Sequence, residues 1–109
     1  GGAATQHLVN QPILEALGAE GCVVNVARGS VVDQDALVAA LKNGTLGYAG
    51  LDVFEKEPSV TSGLVNRSDV VLLPHLGSAT VETRNAMGFR VMENAISFFN
   101  GDEPPDRVV

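Results

Sequence analysis

Cys22-Val23-Val24-Asn25-Val26-Ala27-Arg28-Gly29 is the segment around which the rest of this chain is organised. Residues 22–26 form a short, continuous apolar run rich in β-branched side chains, the pattern of a strand buried on both faces of a parallel sheet. The run ends in a cation followed by a glycine, as a loop at a strand's carboxyl end would begin. Within the run Cys22 reads as a small core residue. It is the single cysteine of the chain, which rules out an internal disulfide and a cysteine metal site.

Outward from this strand the elements alternate. Downstream, Asp33 is placed to cap a helix reaching about Asn43, with Ala36, Leu37, Ala40 and Leu41 at helical spacing and Gly44 where a left-handed cap is wanted. Residues 48–53 and 69–73 read as a second and a third strand. Between them, 54–68 is irregular and polar, with a single helical turn expected near Gly63–Asn66. Upstream, Asn10-Gln11-Pro12 reads as a helix entry, because asparagine caps and proline is tolerated in the first turn, and Gly18 as its close. This strand–helix–strand order with short connections predicts an α/β fold with parallel strands and right-handed crossovers.

From Thr80 to Asn100 runs the longest predicted helix. Phe89, Met92, Ile96 and Phe99 make one apolar row and Met87, Val91, Ala95 and Phe98 the next, leaving a narrow polar stripe at Arg90, Glu93, Asn94 and Ser97. Such a helix is expected to be buried on several sides, by more protein than three strands and two short helices can supply. The start at Gly1-Gly2-Ala3-Ala4, without an initiator methionine, points the same way, to a fragment or a processed chain.

The 109 residues carry 45% hydrophobic and 18% charged side chains and a net charge of −6, a globular composition without a lysine or arginine cluster. That balance argues against a nucleic-acid or anionic-membrane surface. No apolar stretch reaches membrane-spanning length and no secretory leader is evident, so the cytoplasm is the expected compartment. Gly44-Thr45-Leu46-Gly47-Tyr48-Ala49-Gly50 is glycine-rich but lacks G-x-G-x-x-G spacing, and it leads into a strand and not into a helix. Signatures of phosphoryl transfer, zinc proteolysis and serine hydrolysis are absent.

Ligands of parallel α/β sheets bind beyond the carboxyl ends of the strands, and each predicted strand delivers a polar residue there. Arg28 follows the first strand and can hold a carboxylate through two parallel charge-assisted hydrogen bonds. Asp52 ends the second strand, and Glu57 lies on the loop beyond it. His75 follows Pro74 at the end of the third. A carboxylate beside an imidazole favours the imidazolium, a proton donor near neutral pH. Taken singly, Arg28 reads as a surface cation, Glu55 and Glu57 as a solvated acidic loop, and His75 as a hydrogen-bonded bystander. His7, beside Gln6, reads as structural.

Four segments together resemble the NAD(P)-dependent D-2-hydroxyacid dehydrogenases, particularly the glyoxylate/hydroxypyruvate reductases: Thr5-Gln-His-Leu-Val-Asn, Val24-Asn-Val-Ala-Arg-Gly-Ser-Val-Val-Asp, Ala49-Gly-Leu-Asp-Val-Phe-Glu-Lys-Glu-Pro and Leu73-Pro-His-Leu-Gly-Ser-Ala-Thr. The resemblance implies a partial doubly wound, Rossmann-like sheet followed by a long C-terminal helix. Residues 1–78 would be the C-terminal half of a dinucleotide-binding domain, and 79–109 a helix and tail returning to a substrate domain. Arg28 would bind the substrate carboxylate and polarise the carbonyl, His75 would be the acid/base and Glu57 its hydrogen-bonding partner. Asp52 would lie near the nicotinamide carboxamide, while Val26, Ala27, Gly77 and Ser78 would line the nicotinamide end.

It further implies NADP or NAD as cofactor, a small 2-oxo or 2-hydroxy acid as substrate, no metal, and a homodimer. The family's phosphate loop and the residue that selects NAD or NADP would lie upstream of Gly1, so the isolated 109 residues are expected to be inactive. The alternative implied by the same resemblance is a non-enzymatic, dinucleotide-sensing interaction module like certain transcriptional corepressors.

Overall fold

The computed structural model describes residues 2–108. It divides into a unit that ends at Gly77 and a second that begins at Ser78.

In the first unit, helix α1 (Gln11–Leu17) leads into strand β1 (Cys22–Asn25), helix α2 (Gln34–Asn43), strand β2 (Tyr48–Leu51) and strand β3 (Val70–Leu72). The three strands form a parallel sheet in the order β1-β2-β3, pairing Cys22 with Tyr48, Asn25 with Leu51 and Leu51 with Leu72. Local chemistry sets the limits of α2 as expected, whereas at the start of α1 Asn10 stands at the cap position without a side-chain cap bond. Asp33 accepts a hydrogen bond from Ala36 N at 3.0 Å, satisfying an amide that the first turn cannot pair. Gly44 closes α2 at φ 76°, and Gly18 closes α1 at φ 79°. Short 3₁₀ turns occupy Ala3–Thr5, Gly29–Val31 and Ser62–Leu64, the last within the segment where a helical turn is expected.

One core lies between the helices and one face of the sheet. Leu14 of α1, Leu37 and Leu41 of α2, and Val23, Ala49 and Leu51 of the strands meet there with Leu46, Phe54 and Leu64. Leu14, Leu37 and Leu64 are fully enclosed, and truncation of any of them to alanine would cost about 2–5 kcal/mol.

The sheet departs from the sequence reading on its other face. Residues 22–26 are not buried on both sides: Val24 is 66% exposed, Val26 71%, and Cys22 is an exposed free thiol, not a core residue. Successive strand side chains alternate between faces, and α1 and α2 serve the same core, so only every second residue of β1 is covered. A continuous apolar run records that both faces suit burial; it does not supply the second layer. The strands are also shorter than predicted, β2 ending at Leu51 and β3 at Leu72.

In the second unit, helix α3 (Val81–Phe99) starts at Thr80, whose hydroxyl accepts from Thr83 N at 3.1 Å. The expected burial on several sides is not present within this unit. Phe89, Met92, Ile96 and Phe99 are all more than half exposed, because no other element of the unit packs on them. The polar stripe has a partner instead. The tail after α3 folds back so that the Asp106 carboxylate accepts from Arg90 Nε at 2.5 Å, Arg90 Nη2 at 2.7 Å and Asn94 Nδ2 at 2.6 Å.

Candidate active site at the carboxyl edge of the sheet

Beyond the carboxyl ends of the strands lies an open cleft of about 620 Å³ lined by Arg28, Gly29, Ser30, Glu55, Glu57 and His75. The three residues from which the sequence argued for chemistry therefore share one cavity. The reason is topological, since parallel strands point their carboxyl ends to one edge, and β2 lies between β1 and β3.

Arg28 sits at the end of β1 in extended backbone, φ −144°, just before the Gly29–Val31 turn. A buried side chain braces this turn. Asn25, 4% exposed, donates from Nδ2 to Arg28 O at 3.0 Å and accepts from Ala27 N at 3.1 Å. Sequence reasoning missed Asn25; the available signal was one amide in an otherwise apolar strand, since a buried polar group needs its hydrogen bonds supplied. The Arg28 guanidinium is exposed and donates to Ala27 O at 2.6 Å.

Glu57 joins its own loop to β3. Its Oε1 accepts from Phe54 N at 2.9 Å, and its Oε2 accepts from His75 Nδ1 at 2.9 Å. The imidazole bond first and the Phe54 amide second hold its carboxyl below the usual value of 4.5, with the positive charge of Arg28 adding to the same effect. Glu57 is thus the ionised acceptor. Nδ1 is committed to it, while Nε2 of the same ring has no protein partner among the described residues. The expectation that Glu57 lies on a merely solvated acidic loop does not describe this geometry.

Two further groups complete the edge. Asp52 is buried, 4% exposed, and its carboxylate is turned inward to accept from Leu76 N and Gly77 N. On the other side of the loop, Glu55 pairs with His7 Nε2, and Asp33 lies 3.7 Å from His7 Nδ1. The Glu55 bond, with the nearby acidic charges, raises the His7 pKa above its ordinary 6.5. His7 is thereby tied to the loop that also carries Glu57.

Val26 and Ala27 follow β1 and Gly77 follows His75 on exposed backbone, offering small or apolar surface. Ser78 opens the second unit. An added Cβ at Gly77 would come 3.3 Å from Asp52 Oδ2, so the chain there is already close against the strand end. The sequence has no G-x-G-x-x-G phosphate loop.

Residues 2–77 match the family model of the D-isomer specific 2-hydroxyacid dehydrogenase, NAD binding domain. The chain belongs to this dehydrogenase family. Among relatives of this dehydrogenase domain, glyoxylate/hydroxypyruvate reductase A of Arabidopsis thaliana is 50% identical over 97 residues, covering 89% of this chain and 31% of the relative. Glyoxylate reductase of Thermococcus onnurineus is 46% identical over 104 residues, covering 95% and 31%. The NADPH-dependent glyoxylate/hydroxypyruvate reductase of Sinorhizobium meliloti, solved with NADP and malonate, superimposes with a TM-score of 0.88 at 52% identity, covering 91% of this chain and 31% of that one. The dehydrogenase chain described here thus spans about a third of the length of these proteins.

Proposed function

We propose that this chain is the C-terminal, catalytic-edge portion of a reductase that converts a small 2-oxo acid of the glyoxylate or hydroxypyruvate type to its D-2-hydroxy acid. The observation that carries the reading is the His75–Glu57 bond of 2.9 Å in the cleft that also holds Arg28. NADPH or NADH, when bound, supplies the hydride. The groups of this chain manage charge and protons around it. His75, with Nδ1 committed to Glu57, donates a proton from Nε2 to the carbonyl oxygen as that oxygen gains negative charge. Glu57, ionised because its pKa is lowered, stabilises the charged ring and fixes its orientation. Arg28 exchanges its bond to Ala27 O for the substrate carboxylate, which it grips through two parallel N–H donors. A cation at this position also draws an anionic substrate against a net charge of −6.

Val26, Ala27 and Gly77 line the nicotinamide end, and Asp52 borders it from the end of β2. Residues 79–109 return to a substrate domain, and the assembled enzyme is a cytoplasmic homodimer. The exposed row of Phe89, Met92, Ile96 and Phe99 supports association of α3 with further protein.

The test is reduction of glyoxylate and hydroxypyruvate by the full-length enzyme, comparing wild type with His75→Ala. Turnover should fall about 10²–10⁴-fold, the usual worth of a positioned acid/base. Undiminished turnover in His75→Ala would refute the assignment.

A further inference from the structure

His75 occupies a backbone conformation that its side chain disfavours. Its φ is +57°, in the left-handed region where a Cβ crowds the following carbonyl. Such a conformation persists only where surrounding structure imposes it. The imidazole–Glu57 bond cannot do so alone, because it acts at the end of a rotatable side chain.

The imposing contact comes from Asp52. Leu76 N donates to its Oδ1 at 2.7 Å and Gly77 N to its Oδ2 at 2.9 Å, so the two amides that follow His75 converge on one carboxylate. Asp52 is itself held in place. Its own N donates to Asn25 O at 3.0 Å, and the chain entering the loop is fixed by Leu73 N on Leu51 O at 2.8 Å. A carboxylate only 4% exposed is costly unless its charge is met by donors, and these two amides meet it. The residue just beyond the middle strand therefore carries a carboxylate whose hydrogen bonds define the path of the loop after the neighbouring strand.

We infer that Asp52 is a positioning residue for the proton donor: its carboxylate, by binding the Leu76 and Gly77 amides, holds His75 in the left-handed conformation that lets Nδ1 reach Glu57 and leaves Nε2 for the substrate. This inference rests on the proposed role of His75. It is separate from a place beside the nicotinamide: each carboxylate oxygen has two lone pairs, and the clamp uses one of each for the protein's own main chain. An asparagine of the same shape keeps one acceptor and turns an N–H₂ toward the second amide, so it removes half of the clamp.

The experiment uses the full-length enzyme and the variants Asp52→Asn and Asp52→Ala, with His75→Ala alongside. At saturating NADPH, kcat for glyoxylate should fall about 10²-fold in Asp52→Ala, the cost of a catalytic group misplaced by about 1 Å, with a smaller loss in Asp52→Asn. The KM for NADPH should stay within about threefold of wild type. In the cofactor-free enzyme the Leu76 and Gly77 amide signals and the His75 ring signals should shift in Asp52→Asn by ¹H–¹⁵N NMR. If Asp52→Ala does not fold, Asp52→Asn carries both measurements. The inference is overturned if kcat at saturation is kept while cofactor KM rises, or if the His75 signals are unmoved in cofactor-free Asp52→Asn. An active His75→Ala would instead strike the proposed function.

Discussion

Gly29 and Phe54 meet backbone to backbone: a Cβ added to Gly29 would fall 2.0 Å from the Phe54 carbonyl carbon and 2.1 Å from its oxygen. The turn carrying Arg28 and the loop carrying Glu57 are therefore pressed together with no side chain between them. Neither neighbour is a flexible side-chain end that could swing away. Gly29→Ala must move one loop, and it should destabilise the protein by about 1–3 kcal/mol or more. Urea unfolding followed by circular dichroism measures this; an unchanged midpoint would show that the two loops do not abut.

Arg28→Lys should weaken substrate capture more than it slows chemistry. An ammonium keeps the charge but loses the planar fork, so kcat/KM for glyoxylate should fall by about 10–100-fold, chiefly through KM. Steady-state kinetics across substrate concentration separates the two constants. A change confined to kcat would place Arg28 away from the carboxylate.

Glu57 has a lowered pKa, so its contribution to stability is complete above the ordinary value of 4.5 and is lost as pH falls through the lowered folded value. In Glu57→Gln that acid-side loss should be smaller, and the plot of urea midpoint against pH correspondingly flatter between about pH 6 and pH 3. The same variant should turn over more slowly at neutral pH, because an amide stabilises the charged ring less than a carboxylate does. An acid limb identical to wild type would contradict the ionised pairing.

His7 behaves with the opposite sign. Its pKa is raised by the Glu55 bond, so its contribution is complete below 6.5 and is lost as pH rises through the raised folded value. Its ring resonances, followed by NMR against pH, should titrate with a midpoint above 6.5, and Glu55→Gln should bring that midpoint down. An unshifted midpoint in the unmutated protein would remove the pair.

Much of this fold and site was legible because the signals are local. Asp33 and Gly44 bracket α2 through bonds within one turn, and the strand–helix–strand order places Arg28, Asp52 and His75 at one edge wherever the sheet is parallel. The acidic loop was not legible in the same way. Glu55 and Glu57 flank Lys56 and look equivalent in sequence, yet they serve different histidines. Asn25 does not stand out in the sequence, because an amide within an apolar run becomes informative only once its burial is known.

Residue order alone carries the class of fold, most of the helix limits, the resemblance to D-2-hydroxyacid dehydrogenases and the cation, carboxylate and imidazole of the site. Those follow from residue type and spacing over a few positions. Which acid meets which base is a matter of the folded chain, Glu57 with His75 across 18 positions and Glu55 with His7 across 48. Folding alone turned Asp52 inward to its two amides and covered one face of β1 while leaving the other open. Such pairings depend on how loops from separate strands close against one another, and no periodicity within a strand or helix records that closure.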